Sequence, residues 1–136
     1  MRQRSLLVLV CCAALGVPTG SAPAAQFVAR LHAPNHAPKA GTKHWRITVT
    51  AHSRSGRALH ATAVYRFLFK HRVVSTQYPN PGHPKGGKHP YAFTGRYRDT
   101  ILWPARAVGI PLIFRVVVRV RGKGSVNLDW KVRVKQ

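Results

Sequence analysis

Residues 111–134 read PLIFRVVVRVRGKGSVNLDWKVRV, and the reading of this stretch decides the fold. Leu112, Phe114, Val116, Val118 and Val120 alternate with Ile113, Arg115, Val117 and Arg119. Past Gly122-Lys123-Gly124 the alternation resumes, with Val126, Leu128, Trp130, Val132 and Val134 set against Asn127, Asp129, Lys131 and Arg133. Successive side chains of a strand point to opposite faces, so each run has one buried and one wet face. Two such runs joined by a turn whose glycines tolerate positive φ form an antiparallel hairpin. With Arg121 set opposite Ser125, Arg115 faces Lys131, Val117 faces Asp129 and Ile113 faces Arg133. Asp129 then has Arg115 and Arg119 as diagonal neighbours. Like charges in direct opposition cost stability unless counterions or a ligand relieve them, which makes this hairpin a candidate binding surface.

Working outward, the same period recurs along the chain. Trp45, Ile47, Val49 and Ala51 alternate with Arg46, Thr48, Thr50 and His52, and the turn SRSGR at 53–57 ends that strand. Ala63, Tyr65, Phe67 and Phe69 share one face of a central strand, with Val64, Arg66, Leu68 and Lys70 on the other. A tight Lys70-His71-Arg72 connection leads to a strand over 73–78. Residues 79–90, PNPGHPKGGKHP, hold four prolines and three glycines and read as an exposed loop. Residues 91–103 resume strand character, and 104–111 are a connection bounded by prolines. An edge strand is expected over 26–31 and a loop or irregular edge over 32–44. Nowhere do apolar residues keep a three-and-four spacing for three helical turns, so the chain is all-β.

At the start, Arg2 and Arg4 precede the apolar run SLLVLVCCAALGV at 5–17, and Ala22-Pro23-Ala24 follows as a small-x-small cleavage site. That run is too short for a comfortable membrane span of about 20 residues and has the grammar of a secretory signal. The expected organisation is a signal peptide over 1–24, an irregular segment with an edge strand over 25–44, and one sandwich domain over 45–136. Both cysteines, Cys11 and Cys12, fall in the signal, so the exported domain has no disulfide and relies on its core. The whole chain carries 23 Lys or Arg against two acids, Asp99 and Asp129, for a formal charge of +21. Its hydrophobic fraction of 45% is too high for a basic disordered tail.

The run GRYRDTILWPARAVGIPLIFRVVVRV at 95–120 resembles small secreted actinobacterial proteins that carry a single immunoglobulin-like, or fibronectin III-like, domain. Seven or so short strands, a proline-flanked crossover before a long valine-rich strand, and a closing hairpin with an inward Trp130 carry the resemblance. It implies an antiparallel immunoglobulin-like β-sandwich and speaks to fold, not to activity. The inter-sheet cysteines of antibody domains are lacking, and Phe114 stands near the tyrosine-corner position.

Chemistry-bearing motifs are sparse. Residues 82–89 read G-x-x-x-x-G-K-H, but a phosphate-binding loop needs Ser or Thr after the lysine and prolines out of its interior. The eight histidines have no spacing that fixes a metal geometry. Two carboxylates are too few for most acid-base hydrolases, and no serine lies in a nucleophile elbow. Asp99, beside Arg96 and Arg98, is expected to pair with cations as Asp129 does. The chain is therefore read as non-catalytic, with no cofactor and no small-molecule substrate. Arg66, Lys70, Arg115, Arg119, Arg121, Lys131 and Arg133 are expected to share one sheet face. That face suits anionic polymers of the cell envelope, a membrane surface or extracellular DNA. The alternative is a structural or protein-interaction domain for which the charge is background.

Overall fold

The computed structural model describes residues 24–83 and 85–136. The signal segment expected over 1–24, with both cysteines, lies outside the described residues except for Ala24. Eight strands follow in order: β1 (Val28–His32), β2 (Arg46–His52), β3 (His60–Phe69), β4 (Arg72–Gln77), β5 (Tyr91–Thr94), β6 (Arg96–Thr100), β7 (Pro111–Val120) and β8 (Gly124–Arg133). A single 3-10 turn, Ala105–Ala107, is the only helical element among the described residues.

All strand pairings are antiparallel. The small sheet has the order β1-β2-β6 and the large one β4-β3-β7-β8, with β5 paired to the first half of β3. Alternation explains which faces meet. Ile47, Val49 and Ala51 of β2 and Tyr97 of β6 point inward against Ala63, Tyr65 and Phe67 of β3 and Phe114, Val116 and Val118 of β7. Trp45 packs edge-on against Trp103 at 5.3 Å and against Phe114 at 5.7 Å. Such edge-to-face contacts suit the aromatic quadrupole. Truncating Trp103 or Phe114 to alanine removes about 3–5 kcal/mol by the usual large-to-small cost.

Sequence and structure part over residues 91–103, along β3 and at Trp130. Residues 91–103, expected as one strand, are two strands in different sheets. Gly95 is the corner: its φ is +70°, and a Cβ there would lie 2.7 Å from the Ala58 Cβ. Its N–H donates to Leu59 and its carbonyl accepts from Ala51, tying the switch between sheets to both. Second, the β3–β4 register shifts between Phe67 and Leu68, with Val74 as the extra residue on β4, and Leu68, on the outward face beside Ile113, is 4% exposed without joining the core. Third, Trp130, expected inward, packs only at the margin of the core. It is half-buried, stacks on His36 at 4.7 Å, and donates its indole N–H to the Asn35 carbonyl at 3.0 Å. Trp103, 1% exposed, holds the central place.

Residues 33–44 form no strand, yet part of this segment seals the outer edge of β8 and of the chain just beyond it. Arg133 and Lys135 donate their backbone N–H groups to His36 and Pro38, and Ala40 donates to Lys135, at 2.8–2.9 Å. Segment 25–44 thus contributes β1 to the small sheet and a cover to the large one.

Candidate anion-binding faces

The β7–β8 turn is Arg121-Gly122-Lys123, closed by a Lys123 N–H bond to the Val120 carbonyl at 3.0 Å, with Val120 paired to Gly124. Gly122 and Gly124 take φ of 74° and 89°, and seating both glycines in left-handed conformations starts the turn one residue earlier than the sequence reading did. The cross-strand pairing is therefore offset by two residues. An offset of two leaves every side chain on its face and changes every partner. Arg115 faces Asp129, Val117 faces Asn127, Ile113 faces Lys131 and Pro111 faces Arg133. The expected opposition of Arg115 and Lys131 does not occur.

Arg115 donates from Nε and Nη2 to the two Asp129 carboxylate oxygens at 2.7 and 2.9 Å. These hydrogen bonds hold the Asp129 carboxyl below its ordinary pKa. This is the one ion pair among the described residues. A like-charge opposition does exist one strand over, where Arg66 of β3 faces Arg115 of β7. Across the large sheet this row reads Thr76, Arg66, Arg115, Asp129.

Of the seven cations expected on the face, Arg66, Arg115, Arg119, Lys131 and Arg133 alternate outward on their strands. Lys70 lies in the β3–β4 turn, yet it lines one shallow hollow with Lys131 and Arg133 over Leu68 and Ile113. Arg121 lies in the β7–β8 turn and lines a second hollow with Arg119 and His60 at the other end of the sheet. The cations form a track along β7 and β8, about 30 Å long for ten-residue strands. Except for Arg115, none pairs with a carboxylate among the described residues.

The Lys70-His71 turn adds a second observation. Both residues have positive φ, 48° and 66°, as a two-residue type I′ hairpin demands. Asn-Gly is the usual occupant, and each ordinary L-residue in this conformation costs about 1 kcal/mol. A lysine and a histidine stand where this backbone favours asparagine and glycine.

The small sheet carries a second basic face that the sequence reading passed over. Arg30, Thr50 and Arg96 form one outward row across β1, β2 and β6, and His32, Thr48 and Arg98 form the next. Arg46 opposite Thr100 ends the ladder. The alternation of Arg46 with Thr48 and Thr50 is plain in the sequence, as is that of Arg96 with Arg98. Their convergence depends on β6 crossing to this sheet at Gly95, which no local pattern shows.

Asp99 was expected to pair with cations and instead turns inward. It faces Ile47 in the register and accepts a 2.8 Å hydrogen bond from the Tyr65 hydroxyl of the opposite sheet, which in turn accepts one from Tyr97 at 3.1 Å. Burial raises the pKa of all three groups, and for Asp99 it outweighs the bonds from Tyr65 and the Thr100 N–H, which act the other way. Lys43, Arg46, His83 and Arg98 line a hollow with Asp99, none close enough to form an ion pair. No three His, Cys, Asp or Glu side chains converge among the described residues.

No protein-family model, curated protein or solved structure matches this chain.

Proposed function

We propose that the protein is a secreted, non-catalytic immunoglobulin-like domain whose large-sheet face binds anionic polymers of the cell envelope or its surroundings. The observation that carries this reading is Arg66 set directly against Arg115, within a track of cations that has Asp129 as its only acid. Asp129 answers only Arg115, and a bound polyanion supplies the counter-charge that Arg66, Arg119, Lys131 and Arg133 lack. The immunoglobulin-like assignment is supported by the sheet orders, β1-β2-β6 against β4-β3-β7-β8. Two antiparallel sheets of three and five strands suit that architecture. The signal grammar of residues 1–24 supports export.

Retention on immobilised heparin across a salt series tests the reading. Neutralising several anions releases counterions, so affinity falls steeply as salt rises. Affinity that stays flat from low to high salt rules it out. A second reading, docking of a protein partner, draws on Val73 and Val74, 49% and 58% exposed on the outer strand β4. In that case, reversing Arg119 and Lys131 to glutamate leaves partner binding intact.

A further inference from the structure

We infer that the outward face of the small sheet is a second site for a linear phosphodiester polymer, so that one molecule bridges two polymer strands. The inference rests on the large-sheet reading for the first strand and on different residues for the second.

On the small sheet Arg96 and Arg98 stand two residues apart on β6, about 6.7 Å along the strand. Arg30 lies across β2 from Arg96, about 9.5 Å away for two strand spacings. Thr48 and Thr50 fill the row between, so guanidinium groups flank a rail of hydroxyl donors. Guanidinium forks suit phosphate oxygens in bidentate fashion, and hydroxyls add donors between them. Unlike Arg66 and Arg115, these arginines are separated by threonines, so the face holds its charge without direct opposition. No carboxylate points out from it, since Asp99 is turned into the sandwich. At one end the ladder opens into the hollow lined by Lys43, Arg46, His83 and Arg98, whose wall also carries the Asp99 carboxyl, so the phosphate track runs along the ladder and stops short of it.

The chemistry favours a polymer over a lipid surface. Helices and faces that settle on bilayers add Trp, Phe or Leu side chains that enter the acyl boundary. Here the strongly exposed large apolar residues are only Val28 and Leu102, which stand at opposite ends of the ladder and make no continuous apolar footing. The two basic faces are the outer surfaces of sheets packed about 10 Å apart, so they point in opposite directions. One stiff strand cannot lie on both, and two strands can.

The test uses the full chain and short DNA duplexes as the phosphodiester probe, half labelled with a donor fluorophore and half with an acceptor. At protein concentrations below the duplex concentration, bridging appears as energy transfer between duplexes. The triple variant Arg30→Gln, Arg96→Gln, Arg98→Gln is expected still to bind a single duplex on the large sheet, with the salt slope of that site retained. Its energy transfer falls at least tenfold. Arg66→Gln, Arg119→Gln, Lys131→Gln on the opposite face likewise leaves one duplex bound, on the small sheet, and loses the transfer. Replacing Arg30, Arg96 and Arg98 with lysine retains transfer, separating loss of charge from loss of fold. Transfer by the glutamine variant within twofold of the unaltered protein overturns the inference, as does salt-dependent binding by the unaltered protein with no transfer. Neither result touches the large-sheet reading, which fails only if the unaltered protein binds without salt dependence.

Discussion

Single residues set much of what this sandwich can tolerate. Gly95 combines a left-handed backbone with contact against Ala58, so Gly95→Ala meets both conformational strain and overpacking. The expected loss is about 3 kcal/mol, read as a lower urea midpoint. The opposite is expected at the β3–β4 turn. Replacing Lys70 and His71 with Asn and Gly relieves two strained residues and raises stability by about 1 kcal/mol. If Lys70 contacts polyanion, the same change lowers the salt slope on heparin by about one unit. A variant that gains stability and keeps its slope shows that the turn takes no part in binding. At Arg115 and Asp129 the pair is exposed enough that its worth is modest. Asp129→Asn is expected to cost about 0.5 kcal/mol at neutral pH.

At the scale of elements, alternation makes the faces of β2, β3, β7 and β8 legible without any knowledge of register. An offset of two residues on the closing hairpin moved Asp129 from opposite Val117 to opposite Arg115 while leaving every valine inside. The turn itself was not legible, because Arg121-Gly122-Lys123 and Gly122-Lys123-Gly124 both place glycine where positive φ is allowed. The break at Gly95 was hidden for a similar reason: Tyr97 follows Phe93 in unbroken alternation although the two belong to different sheets. The two acids also have opposite fates with pH. The pKa of Asp129 is lowered in the folded state, so the stability it supplies is present above its unfolded pKa and disappears as pH falls through the folded one. Burial raises the pKa of Asp99, so its favourable share is complete below the unfolded value and is lost as pH rises through the folded one. Denaturant midpoints should therefore respond in opposite directions at pH 7, falling in Asp129→Asn and rising in Asp99→Asn. At pH 2 both variants should match the unaltered protein. A fall at pH 7 in Asp99→Asn would mean that the Tyr65 hydroxyl needs a charged acceptor.

Across the whole molecule, the total charge could be counted from the sequence, but its distribution could not. The seven cations of the large sheet were visible because six of them lie on two consecutive strands and their flanking turns or on the central strand beside them. Arg30, Arg96 and Arg98 come from distant parts of the chain and meet only through sheet order, a non-local property. The segment ahead of Trp45 illustrates the same dependence. It reads as an edge strand followed by a loop or irregular edge, yet its residues hydrogen-bond the last residue of β8 and the chain after it. A chain trimmed to begin at Trp45 should therefore sediment as oligomers, whereas one beginning at Ala24 should remain a monomer. Unpaired backbone groups along a valine-rich rim recruit further chains. A protease cutting just ahead of Trp45, about 20 residues past the expected cleavage point, would then make the domain a seed for fibrous deposits.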